Sequence, residues 1–347
     1  MPVLNFDDEK EVKEYNDYLN NYGIVSFMQD LRWGLVKDNW IRKAIYLKKD
    51  NKICAAMMIL IEKLPHTKYS FMYSPRGPIC DIANVELVNE LINEASLIAK
   101  KYNAYTLTFD PQFVYDKNIV DLYKKNNYKV YGRKINPDGL IQPRYECKIF
   151  LEGKTEEEIK MGFASKTRYN IKLAEKHGVK VSYKNSKEYL DIFYNLYKIT
   201  AIRDKIGYRS YEYFEKMLKI YDEDSLRIYV TKHDNDYLSA AICISFGNEV
   251  YYMYGASSNE KRNLMPNYLM QMEMIKWAIE KKAKIYNIAG VIHNNKNDGL
   301  FKFKFGFCRE VGYQEYIGEI NKVYKPFIFI VIKKALMLKK LLHKLHK

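Results

Sequence analysis

The strongest constraint on the fold is a repeat. Two stretches of the chain run through one order of elements: strand, turn, strand, strand, helix, strand. In the first stretch, strands are predicted over Arg42 to Lys48 and Ile53 to Ile61, joined by Lys49-Asp50-Asn51-Lys52, and over Tyr69 to Tyr73. Leu87, Leu91, Ala95 and Ile98 then recur at helical spacing within Glu86 to Lys101, before a strand from Ala104 to Phe109. The second stretch reads Leu226 to Lys232, the turn His233-Asp234-Asn235-Asp236, Tyr237 to Phe246 and Glu249 to Tyr254. A helix Tyr268 to Lys282 follows, with Leu269, Met272, Ile275 and Ile279 on one face, and then a strand Lys284 to Ala289. Details agree as well: FMYSPRG in one copy sits where YMYGASS sits in the other, and Cys54-Ala55-Ala56 matches Ala241-Ile242-Cys243.

Two copies of one α/β unit explain this order, in a chain whose 347 residues and 48% hydrophobic content suffice for two cores. The order is that of the Gcn5-related acyltransferase (GNAT) fold, so two such domains with mixed sheets flanked by helices are expected. The predicted domains are residues 1–147 with a C-terminal helix at 320–347, and residues 148–319. A basic helical insertion at 155–177 belongs to the second. It opens on the capping box Thr155-x-x-Glu158 and carries Lys160, Lys166, Arg168, Lys172 and Lys176.

The repeat also bears on GLFKFKFGF, residues 299–307. Its period of two suggests a strand with both lysines on one face. By correspondence with a short predicted helix, Ile119 to Lys125, which runs into a strand Tyr128 to Tyr131, the segment Leu300 to Phe305 is instead expected to be helix stopped at Gly306. A helix groups Phe301, Lys304 and Phe305 and sends Lys302 elsewhere.

With 57 basic against 42 acidic residues, a net charge of +15 favours a polyanionic partner: RNA, a nucleotide-linked substrate or an anionic membrane surface. Cys54, Cys80, Cys147, Cys243 and Cys308 lie far apart, with neither metal-ligand nor disulfide-framework spacing, so a reducing cytoplasm is expected. The N-terminus lacks a basic region followed by an apolar one, and no apolar run approaches the roughly 20 residues of a bilayer span. Neither export by that route nor membrane spanning is expected.

Neither copy carries the glycine-rich turn that holds a coenzyme A pyrophosphate; the corresponding stretches are Gly77-Pro78-Ile79-Cys80-Asp81 and Lys261 to Asn267. A Walker-type loop is also absent. The expected chemistry therefore uses no metal, coenzyme A or ATP. The polar residues that stand out are Lys37, Arg209, Tyr213, Tyr254 and Lys304.

The motifs MQDLRWGLVKDNW, YSPRGP, LTFDP, SKTRYNIKLAEKHG, YRSYEYF, YMYGAS, YNIAGV and FKFKFGF, followed by YIGEINKVYKP, resemble in order and spacing the FemABX aminoacyltransferases that build peptidoglycan interpeptide bridges. The likeness covers nearly the whole chain. With no sustained heptad run for a coiled-coil insertion, the chain is similar to the short, FemX-like members. The resemblance implies transfer of Gly, Ala or Ser from aminoacyl-tRNA to the side-chain amine of the third stem-peptide residue, on lipid II or UDP-MurNAc-pentapeptide. It implies that Lys37 and Arg209 hold the precursor's diphosphate, that Tyr213 and Tyr254 line the same site, and that Lys304, preceded by Phe303, approaches the transferred ester.

Amine attack on that ester makes a tetrahedral oxyanion, which the Lys304 ammonium would stabilise. Asp110 in LTFDP could accept the amine proton or simply cap a turn, with the ester's ribose hydroxyl relaying the proton instead. Lys302, Lys166, Arg168 and Lys172 are candidates for tRNA contact. A monomer is expected. Alternatives are an acyl-coenzyme A-dependent N-acyltransferase of a small amine and a non-catalytic tRNA- or membrane-binding module.

After Glu319 the chain has no acidic residue. From Pro326, Ile328, Val331, Ala335, Leu338, Leu342 and Leu345 form one helical stripe with Lys333, Lys340, Lys344 and Lys347 opposite. Docking near the start and contact with the inner face of an anionic membrane beyond Leu338 are expected.

Overall fold

The structure, a computed structural model, describes residues 3–133, 140–291 and 297–345. It divides into two compact units, one of Met1–Leu19, Met28–Gln142 and Tyr316–Lys347, the other of Asn20–Phe27 and Pro143–Glu315. Elements are numbered along the chain.

The first unit holds α1 (Glu9–Asn21, its last residues passing to the other unit), α2 (Leu31–Val36), β1 (Ile41–Lys49), β2 (Lys52–Lys63), β3 (Ser70–Ser74), α3 (Val85–Lys101), β4 (Ala104–Phe109), α4 (Lys117–Lys125) and β5 (Lys129–Tyr131). It is completed by β13 (Glu319–Val323) and α11 (Pro326–Leu345). The sheet order is β1-β2-β3-β4-β13-β5. The β1–β2 and β2–β3 pairs are antiparallel and β3–β4 is parallel. Helix α3 makes the parallel crossover. Asn84 caps it by accepting from the Leu87 N–H at 3.0 Å. Its predicted face, Leu87, Leu91, Ala95 and Ile98, is buried in the core.

The second unit contains β6 (Tyr145–Phe150), α5 (Glu156–Gly162), α6 (Ser165–Lys176), β7 (Lys180–Lys184), α7 (Lys187–Asp204), α8 (Tyr211–Ile220), β8 (Leu226–His233), β9 (Asp236–Phe246), β10 (Glu249–Ser257), α9 (Pro266–Glu280), β11 (Ile285–Val291), α10 (Gly299–Gly312) and β12 (Tyr313–Glu315). Its sheet order is β12-β6-β11-β10-β9-β8-β7. The β8–β9 and β9–β10 pairs are antiparallel and β10–β11 is parallel, the pattern of the first sheet. The repeated acyltransferase-like order is therefore present in both sheets.

The unit limits differ from those expected. Strand β6 begins at Tyr145 and pairs with β11 and β12, so the chain joins the second sheet before residue 148. The segment from 320 is not all helix: β13 occupies Glu319–Val323 and pairs with β4 and β5. The basic helical insertion consists of two helices, because the chain turns at Phe163 and Ala164, both extended at ψ 158° and 145°. Its capping box forms as the sequence requires.

On α11, Phe329 is buried and stacks on Tyr131. Lys333 packs inward over the same ring, 3.0 Å from its centroid, instead of opposing the apolar stripe. Burial lowers its pKa to about 8. Val331 and Leu338 of the predicted stripe are exposed, as are Phe327, Ile330 and Leu336. The side chains of Lys340, Leu342, Lys344, Leu345 and Lys347 lie outside the described residues. Among the described residues no helix is long and apolar enough to cross a membrane.

Candidate active site

The GLFKFKFGF segment is helical, as the repeat implied. Asp298 caps α10 by accepting from the Phe301 N–H at 2.7 Å. Phe301 and Lys304 are buried and Lys302 is exposed. The expected stop at Gly306 does not occur. The helix continues to Gly312, with a kink where Arg309 takes φ 55° and ψ −164°. Gly306 serves close packing instead: a Cβ there would lie 2.4 Å from Thr167 Oγ1 on α6, and its carbonyl accepts from the Ala164 N–H at 2.8 Å.

Lys304 Nζ donates to the Gly290 carbonyl at 2.8 Å and lies 5.9 Å from the Tyr252 ring centroid. Burial lowers its pKa to about 8, against upward pulls from Cys147, Glu146 and Cys308. An ammonium that close to neutrality can hold a developing negative charge and still titrate in the working range. Phe303 is half-buried, edge-on to Tyr268 at 5.0 Å and to Phe307 at 5.4 Å. It helps line a cavity of about 80 Å³ at the start of α9, with Ser258, Glu260 and Arg262.

Tyr213 on α8 and Tyr254 on β10 are brought together, their hydroxyls 3.3 Å apart and their rings edge-on. Burial pushes the Tyr213 phenol well up, so it acts as a neutral hydrogen-bonding group. Arg209, exposed in the link between α7 and α8, has its guanidinium 5.4 Å from the Tyr213 ring centroid. These three residues of the second unit form one cationic and phenolic cluster. Lys37, in the first unit, caps the C-terminus of α2, with Nζ 4.6 Å from the Trp33 ring centroid.

Asp110 is buried, and both carboxylate oxygens have donors: the Tyr73 hydroxyl at 2.8 Å and the Arg76 N–H at 2.7 Å. Arg76 has φ 56°, so Asp110 holds the left-handed turn of YSPRGP. The turn it holds is a remote one, between β3 and α3, rather than a local turn at Pro111.

The basic candidates separate by burial. Lys166 and Lys172 are exposed on α6, flanking Tyr169, which is 63% exposed. Arg168 turns inward and donates to the carbonyls of Phe163 and Met161. It braces the α5–α6 junction from a half-buried position.

Sequence reasoning missed the groups behind these side chains. Tyr197 on α7 and Phe214 on α8 pack edge-on against Tyr254 at 6.0 and 5.0 Å, and among 32 tyrosines nothing in the sequence marks Tyr197 out. The Gly290 carbonyl is a backbone acceptor with no residue-type signature.

A model of the FemAB family matches residues 11–237 and 227–336. The chain belongs to this family. One relative is the UDP-N-acetylmuramoylpentapeptide-lysine N(6)-alanyltransferase of Weissella viridescens, 34% identical over 337 residues, spanning 95% of this chain and 98% of the relative. A lipid II:glycine glycyltransferase of Staphylococcus epidermidis is 26% identical over 395 aligned positions, spanning 93% and 94% of the two chains. A crystal structure of FemX shares the fold, with a TM-score of 0.85 at 24% identity over 96% of this chain and all of that one.

Proposed function

We propose that this FemAB-family protein is an aminoacyltransferase that adds Gly, Ala or Ser from aminoacyl-tRNA to the side-chain amine of the third stem-peptide residue of a peptidoglycan precursor, building the interpeptide bridge. The observation that carries this reading is the end-to-end likeness to an enzyme that alanylates a lysine N6 on a muramoyl pentapeptide. The acceptor is lipid II or UDP-MurNAc-pentapeptide.

The amine nitrogen forms a bond to the ester carbonyl, and the carbonyl electrons move to oxygen. Collapse of the oxyanion breaks the bond to the ribose oxygen, which leaves with the proton shed by the amine. Lys304, held by the Gly290 carbonyl, stabilises the oxyanion, and Phe303 borders the path of the ester. Arg209 and Lys37 engage the precursor's diphosphate, and Tyr213 and Tyr254 offer phenols to the same ligand.

Aminoacyl-tRNA is the co-substrate, and the reading calls on no metal, coenzyme A or ATP. Lys166, Lys172 and Lys302 are proposed to meet tRNA phosphates, with Tyr169 as a stacking surface. The exposed apolar side chains of α11, together with the exposed Lys334, would rest on the inner face of an anionic membrane.

The test crosses glycyl-, alanyl- and seryl-tRNA with the two acceptors, following label into the stem peptide. At least one combination is expected to transfer, and none transferring would overturn the reading. Flotation with phosphatidylglycerol but not phosphatidylcholine vesicles is expected, and equal flotation or none would remove the membrane contact.

A further inference from the structure

The carbonyl that holds Lys304 sits on an irregular piece of strand. Along β11 and β6, Asn287 pairs with Lys148 and Gly290 with Glu146, so Ile288 and Ala289 together oppose Cys147 alone. This is a bulge, and Ala289 lies in it at φ 65°, a left-handed conformation that costs a residue with a Cβ. Something must compensate locally.

Asn287 is fully buried and uses its whole amide. Its Oδ1 accepts the Ala289 N–H at 2.8 Å. Its Nδ2 donates to Glu146 Oε2 at 2.8 Å and to Glu249 Oε1 at 2.9 Å. Lys148 Nζ lies 3.4 Å from the same Glu249 oxygen and 3.9 Å from the same Glu146 oxygen. One residue beyond the bulge, the Gly290 carbonyl receives Lys304 Nζ. A Cβ at Gly290 would lie 2.2 Å from Pro143, so the chain there is also confined from the side.

We infer that Asn287 is a positioning residue for Lys304: its amide pins the left-handed turn at Ala289, which aims the Gly290 carbonyl at the ammonium. Few side chains can replace it. Asp has no donors and would add a third carboxylate beside Glu146 and Glu249, and Leu satisfies none of the three partners. The inference rests on the reading of Lys304 as the cation beside the transferred ester.

The titratable groups facing Lys304 are Glu146 and Cys147 from β6, Tyr252 from β10 and Cys308 from its own helix. Of these, Glu146 is itself held by the Asn287 amide, and replacing Asn287 also lets the bulge relax, so that the Gly290 carbonyl moves off the ammonium. The ammonium then holds its proton less tightly. Turnover, which needs the charged form, should lose its basic limb at a pH lower by about half to one unit.

The experiment measures transfer against pH for Asn287→Ala, for Asn287→Ala with Ala289→Gly, and for Lys304→Met, with the acceptor KM taken separately. Asn287→Ala is expected to lower kcat about 10- to 100-fold, leave the acceptor KM within about two-fold, and move the basic limb down. Adding Ala289→Gly should recover part of kcat and return the limb, since glycine adopts positive φ without help. If Asn287→Ala does not fold, Ala289→Val strains the same bulge from a half-buried position and should move the same limb the same way.

Wild-type kcat and an unmoved limb in a folded Asn287→Ala protein would overturn the inference, as would a loss that Ala289→Gly leaves untouched. Those results, obtained while Lys304→Met is inactive, leave the Lys304 reading standing. Full turnover by Lys304→Met would remove that reading and the inference with it.

Discussion

Gly306 on α10 and Thr167 on α6 meet with no room for a methyl group between them, since a Cβ on the glycine would lie 2.4 Å from the threonine Oγ1. The contact, with the Ala164 N–H donating to the Gly306 carbonyl, ties the basic helix pair to the helix that carries Lys304. Gly306→Ala should therefore cost about 1–3 kcal/mol of stability, and Thr167→Ala in the same chain should restore most of it. A double-mutant cycle in denaturant checks this. Additive effects would show that the two residues do not press on one another.

Lys304 carries a stability cost with a definite sign. Its pKa falls from 10.5 to about 8 on burial, so between about pH 8 and 10.5 the unfolded chain binds a proton that the folded chain lacks. Stability due to this group therefore rises with pH across that window, and the cost, about 3 kcal/mol at 1.36 kcal/mol per pKa unit, is fully present below it. Lys304→Met should be more stable than the parent at pH 7, with the gain vanishing above pH 10.5, while turnover drops on the order of 100-fold or more. Thermal melts at the two pH values, beside a transfer assay, test both. A variant less stable at pH 7 would contradict the burial argument.

Tyr254→Phe removes a hydroxyl 3.3 Å from that of Tyr213 and keeps the ring against Phe214. The acceptor KM should rise about five-fold, the value of one hydrogen bond of roughly 1 kcal/mol, with kcat and melting temperature nearly unchanged. An altered kcat at constant KM would move Tyr254 from precursor binding to the reacting centre.

Asp110→Asn should act on stability more than on chemistry. It weakens charge-assisted acceptance from Tyr73 and Arg76, at a cost of about 1–3 kcal/mol. Transfer per folded molecule should stay within about two-fold, as active-site titration would reveal. A loss of 100-fold or more at intact stability would return the proton-acceptor role to Asp110.

Much of the site was legible because each signal was local. Helical grouping separates Lys304 from Lys302, and the structure buries the first and exposes the second. The Thr155 capping box and the apolar face of α3 form as their spacing demands. Arg168 was not legible, because composition marks it as one more surface cation, and only the turn at Phe163 and Ala164 shows that it braces carbonyls. The stop expected at Gly306 failed for a related reason. A glycine can end a helix or admit a neighbour, and the choice belongs to α6, which is remote in sequence from α10.

The sequence by itself determined that there are two acyltransferase-like units, since strand and helix periodicity are read from adjacent residues and the order occurs twice. Tertiary structure decided which strand completes which sheet. The stretch after the first copy supplies β6 to the second sheet, between β11 and β12, while β13, which follows the second copy, joins the first sheet between β4 and β5. A strand's alternation states which face it buries and is silent about its partner, because ladder hydrogen bonds come from backbone groups that every residue shares.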